Sequence, residues 1–120
     1  MASNRLHVRV AAVAIVALAG CAGRLAEGES AFRRGDYPEA KRLLAGLDVS
    51  ARVGSAERPA EYALYRGLTF AALGDAARAD SWLERAKALE EARPGSLSYE
   101  DAHRLETALG ALCSACATGP

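Results

Sequence analysis

The strongest constraint in this chain is an internal register. Setting Gly28 on Gly67 also sets Gly35 on Gly74, Asp36 on Asp75, Ala40 on Ala79 and Leu44 on Leu83, every pair at one offset of 39 residues. Self-similarity at a fixed spacing means that one supersecondary unit is used twice. Each matched residue type has a mechanical use. Gly28 and Gly67 let one helix approach the next closely, Gly35 and Gly74 supply the chain reversal that ends a helix, and Asp36 and Asp75 cap the helix that follows. Ala40 and Ala79 are the small residues a packed helix pair requires, with Leu44, Leu83 and Ala86 facing the same seam. Asp36-Tyr37-Pro38-Glu39 adds the spacing of a capping box.

Composition explains why the repeated unit is helical. After residue 20 the β-branched residues are only Val49, Val53, Thr69, Thr107 and Thr118, so strands have little to be built from. Alanine supplies 28 of the 120 residues and, with Leu, Arg and Glu, gives long stretches of high helix propensity. An all-α fold follows. The pattern predicts helices at about 24–34 and 37–47, a loop at 48–58, and helices over Pro59–Leu73 and Ala76–Ala92. Pro59 suits a first-turn position. Arg93-Pro94-Gly95-Ser96 breaks the chain, and Ser98-Tyr99-Glu100-Asp101 restarts it with a capping arrangement. From there Ala102, Leu105, Leu109 and Leu112 recur on one helical face, so the last helix covers something.

The two matched pieces, Gly28 to Ala40 and Gly67 to Ala79, resemble the centre of the tetratricopeptide repeat (TPR), a helix-turn-helix unit of 34 residues; here five extra residues separate the units. The second piece is the better match. Phe70 stands where the family places an aromatic, whereas the first piece has Ala31 there, and Arg24 where a large apolar residue is usual. The resemblance implies two repeats, at about 21–54 and 60–93 within residues 21–95, with residues 96–120 forming a capping helix and a short tail. This is an α-solenoid fragment. Two repeats are fewer than the roughly three usually needed for an independently stable array, which puts the capping helix, a second copy or another protein in the role of cover.

Residues 1–20 are a different material. They hold Arg5 and Arg9 but no acid, and Val10–Ala19 is an unbroken apolar run. Ten residues of helix reach only about 15 Å, half a bilayer's hydrocarbon core, so the segment reads as a signal peptide and not as a membrane span. Leu18-Ala19-Gly20-Cys21 resembles the lipobox of bacterial lipoproteins. That resemblance implies lipid on the Cys21 thiol and cleavage between Gly20 and Cys21. Two or three acyl chains at about 0.8 kcal/mol per buried methylene hold a small protein on a membrane effectively permanently. Ala22, in place of the aspartate that retains such proteins at the inner membrane of enterobacteria, implies the outer membrane, facing the periplasm.

The remaining 100 residues carry 13 basic and 15 acidic groups, which gives no electrostatic footprint for nucleic acid. Catalytic raw material is sparse. His103 is the one histidine beyond the leader, and no phosphate loop, metal cluster or paired catalytic carboxylates stand out, so the expectation is a protein that is not an enzyme and holds no metal or cofactor. Glu90-Glu91 and Glu100-Asp101 read as helix-surface and helix-start charges. Cys113 and Cys116 remain open between a local disulfide, free thiols, and a redox or metal role. Their i, i+3 spacing fits a disulfide only where the last turn frays, and a helix C-terminus favours the thiol over the thiolate.

In the repeat family the concave groove is lined by first-helix positions. These correspond to Leu25, Glu29, Phe32 and Arg33 in the first unit and to Glu61, Leu64 and Leu68 in the second. Leucines in such a groove imply an apolar helix or strand as its occupant, not a terminal carboxylate. Leu64, Leu68 and Phe70 have an alternative place under the last helix. The resulting expectation is a membrane-anchored adaptor or assembly factor that engages an envelope protein or peptide. Its rivals are a periplasmic thiol-disulfide or thiol-chaperone role for Cys113 and Cys116, and a lipoprotein that only forms homo-oligomers.

Overall fold

The computed structural model describes residues 20–52, 54 and 58–119. The leader reading of residues 1–20, the lipobox residues Leu18 and Ala19 included, lies outside the described residues except at Gly20. Among the described residues there are six helices and no strand: α1 (Gly20–Arg33), α2 (Tyr37–Ala45), α3 (Asp48–Arg52), α4 (Pro59–Ala72), α5 (Ala76–Ala92) and α6 (Tyr99–Ala117). No described helix is long and apolar enough to cross a membrane.

The repeated residues build two helical hairpins with the same turn. At the end of α1 the Asp36 N–H donates to Ala31 C=O at 2.9 Å and the Gly35 N–H to Phe32 C=O at 2.9 Å; at the end of α4 Asp75 donates to Phe70 at 2.9 Å and Gly74 to Ala71 at 3.1 Å. This is the paired closure of a Schellman motif. It needs a left-handed residue, which Gly35 (φ 77°) and Gly74 (φ 81°) supply. The next residue in each turn caps the following helix: Asp36 accepts from Glu39 N–H and Asp75 from Arg78 N–H. Only half of the capping box forms, because the Glu39 carboxylate is taken by Arg42 at 2.6 Å.

Close approach at the glycines then seats one leucine per hairpin. A Cβ on Gly28 would stand 2.6 Å from Leu44 Cδ2, and one on Gly67 would stand 2.6 Å from Leu83 Cγ. Leu44, Leu83, Ala40 and Ala79 are all fully buried. Leu25 and Leu64, a further pair at the same offset, are buried in the common core as well.

Helix α4 is the centre of the molecule, packed by α1, α2, α5 and α6. Its burial is correspondingly general, from Ala60 through Phe70. Leu105 of α6 is buried, and Ala102, Leu109 and Leu112 pack against the same core, so the last helix covers α4 and α5 with its predicted face.

The predicted loop at 48–58 contains a helical turn, α3. Its anchor is Asp48, which accepts from Arg66 Nε at 3.1 Å and Nη2 at 2.6 Å and also from the Tyr62 hydroxyl. Arg66 is buried with its guanidinium 5.0 Å from the centre of the Phe70 ring and 5.4 Å from that of Trp82. A five-residue helix has no stability of its own. The ion pair to α4 holds it, and nothing in its local sequence signals that.

The turn between α5 and α6 has its own clamp. Glu90 accepts from Gly95 N–H at 2.8 Å and from Leu97 N–H at 2.7 Å, with Gly95 in the left-handed region at φ 88°. The Glu90 carboxylate is therefore a loop acceptor and not a free helix-surface charge. Ser98 caps α6 by accepting from Asp101 N–H, as its position predicts.

Candidate functional site

Tyr65 lies at the middle of α4, fully buried, with its hydroxyl at the junction of three helices. It donates to Asp101 Oδ1 at 3.0 Å, and accepts from Arg33 Nη2 at 3.0 Å and Arg104 Nη1 at 2.8 Å. One hydroxyl thus ties α1 and α6 to α4. Arg104 also bridges Glu100 and lies 3.6 Å from Asp101. Asp101 stands in the first turn of α6, as its reading as a helix-start charge has it, but it is buried: its backbone completes the Ser98 cap while its side chain turns inward to Tyr65. Burial first, and then the neighbouring Asp101 carboxylate, raise the Tyr65 phenol above its ordinary value, so it stays a hydrogen-bond donor.

Beside this junction is an open cleft of about 440 Å³, lined by Phe32 of α1, Leu68 of α4, and His103, Arg104, Thr107 and Ala108 of α6. Phe32 stands edge-on to Tyr65, with ring centroids 5.7 Å apart, and so fixes the cleft wall to the hydroxyl hub. Leu68 lies one turn beyond Tyr65 on α4. The wall from α6 is supplied by residues that had no part in the predicted groove.

The seven predicted groove residues divide into three groups. Phe32 and Leu68 line the cleft. Leu25 and Leu64 are core, 7% and 0% exposed, because they pack into the common cluster where the helices meet, so neither offers a surface to a partner. Glu29, Arg33 and Glu61 form a polar layer between α1 and α4. Arg33 reaches Glu29 at 3.8 Å, and Arg58 reaches Glu61 at 3.3 Å. Burial, reinforced by a hydrogen bond to Glu61 and the charge on that residue, pushes the Glu29 carboxyl up to about 8.

Cys113 and Cys116 are exposed and unbridged on the last turns of α6, which stays helical through Ala117. Cys21 falls in the first turn of α1. Among the described residues no group of three or more His, Cys, Asp and Glu side chains is placed to hold a metal ion.

Chemically, the cleft offers apolar surface from three helices with a histidine, an arginine and a threonine at its edge. The signal missed in the sequence was the opposite edge of α6, where His103, Arg104, Thr107 and Ala108 follow at helical spacing beside the leucine face. Comparison with family models, with curated proteins and with solved structures gave no match.

Proposed function

We propose that the protein is a TPR-like lipoprotein adaptor, anchored by lipid on Cys21, that holds an apolar segment of an envelope protein in the cleft between α1, α4 and α6. The observation that carries this reading is the cleft itself, an open apolar trough at the junction of two hairpins and their covering helix. Its support from sequence is the repeated Gly-Asp turn and the Leu18–Cys21 pattern. Helical hairpins of this kind present surfaces, and clefts lined by side chains of several helices suit an amphipathic helix or an extended segment. A lipid at Cys21 would leave α1 directly at the membrane face, which favours a partner lying close to the bilayer.

Purification from crosslinked native membranes tests the reading. A defined envelope protein is expected to accompany the wild-type chain and to be lost when Leu68→Glu and Thr107→Glu are introduced with helical content retained. Equal recovery with both variants would remove the cleft assignment. Cys21→Ser is expected to move the protein out of the membrane fraction, and a variant that stays there would remove the lipid anchor.

A further inference from the structure

Two carboxyl groups face each other where the hairpins meet. The side chains of Glu29 on α1 and Glu61 on α4 are only 9% and 16% exposed, and each sits one turn before a partner in the Arg33–Tyr65 hydrogen bond that ties the two helices together. Two half-enclosed carboxylates brought together repel one another unless one of the pair carries a proton. The buried Oε1 of Glu29 receives no N–H or O–H from any other group. A buried oxygen of this kind needs a partner, and a proton held between the carboxyls supplies one.

The surroundings do not remove that need. On α1, Arg33 stands 3.8 Å from the other Glu29 oxygen, but its side chain is 55% exposed and engaged with Tyr65. Arg58, at the start of α4, pairs with Glu61 at 3.3 Å but is 69% exposed. From α6, Asp101 adds a like charge, with Arg104 drawn to Asp101, Glu100 and Tyr65. Helix α2 meets this part of α1 through Leu44 at Gly28. The cations near the pair are screened by solvent, whereas the two carboxyls are not.

We propose that Glu29 and Glu61 form a proton-operated latch between the two hairpins: a proton held between the carboxyls keeps α1 seated on α4, and its release to solvent drives the helices apart. The cleft wall then splits, because Phe32 rides on α1 and Leu68 on α4. The latch needs no partner protein and stands independently of the adaptor reading. The sign follows from linkage. With the folded-state carboxyl at about 8 against an ordinary 4.5, the folded protein holds more protons than the unfolded chain between those values. The stabilisation is complete below 4.5, falls as pH rises through the window, and is gone above about 8.

The test uses the full chain and its isosteric Glu29→Gln variant, whose amide donates to Glu61 and has no proton to lose. Across this pH window the wild-type melting midpoint is expected to fall by several degrees while that of the variant stays flat. Amide protection of α1, corrected for intrinsic exchange, is expected to drop above pH 8 in the wild type alone. Carbon-13 detection of the wild-type Glu29 carboxyl should show it titrating near 8. Parallel midpoints, unchanged α1 protection, or a carboxyl that titrates at its ordinary value would each overturn the latch.

Discussion

Gly67 and Leu83 are locked together: the space a Cβ on Gly67 would need is taken by Leu83 Cγ at 2.6 Å, with the Leu83 backbone nitrogen 3.1 Å away. At Gly28 the same intrusion meets only side-chain atoms of Leu44, the nearest at 2.6 Å. A leucine tip moves more readily than a helix backbone. Gly67→Ala is therefore expected to lose about 2 kcal/mol, overpacking outweighing the better helix propensity of alanine, and Gly28→Ala about 1 kcal/mol or less. Urea denaturation of the two variants checks the order, and equal losses would deny the difference between the sites.

Tyr65→Phe removes the hydroxyl that three charged side chains share. Asp101 is left buried with one donor fewer, at a cost of about 1–3 kcal/mol. The loss is expected to fall on the junction with α6, so limited proteolysis should cut the α5–α6 turn sooner than in the wild type. In a double-mutant cycle with Asp101→Asn, a coupling of about 0.5 kcal/mol or more is expected. A coupling near zero would mean that the bond does not hold α6.

Removing the anchor of α3 should be more damaging than removing a surface ion pair. Asp48→Ala strips the buried Arg66 guanidinium of its bidentate partner, and about 2–4 kcal/mol is expected, reduced from the fully buried case because the Asp48 side chain is 25% exposed. By contrast, Glu39→Ala, whose pair with Arg42 lies at the surface and is screened by solvent, is expected to leave the melting midpoint nearly unchanged. Thermal unfolding of both variants decides between them.

Glu90→Ala frees two backbone N–H groups of the α5–α6 turn, Gly95 and Leu97. A loss of about 1–2 kcal/mol is expected, whereas Glu91→Ala, one residue on and exposed, should change stability by no more than about 0.5 kcal/mol. Faster amide exchange at Gly95 and Leu97 in the first variant alone would locate the effect.

These sites differ in how far they could be read from the chain alone. The Gly35 and Gly74 turns, the Asp36 and Asp75 caps and the Ser98 cap were legible because every atom involved lies within about one helical turn of its partner. The seating of Leu44 and Leu83 was legible because it was written twice. Asp101 was legible as a helix-start acid, but not that its side chain answers to a tyrosine on another helix. Glu90 was misread because the N–H groups that donate to it lie beyond a helix break. In the predicted groove, Phe32 and Leu68 lie where a partner could reach them, but Leu25 and Leu64 do not, since periodicity identifies an apolar face without saying what covers it.

The sequence by itself determined that this protein is all-helical, that two hairpins share one turn, and where the last helix starts, because propensity, capping and left-handed glycines act over a few residues. Only the tertiary structure decided that α4 is enclosed by four other helices, that Asp48 turns a predicted loop into α3, that Tyr65 joins α1 to α6, and that Glu29 meets Glu61. Those outcomes depend on contacts between residues distant in the chain. Hydrogen bonds and charge pairs of that kind gain their strength from burial, which no local pattern contains.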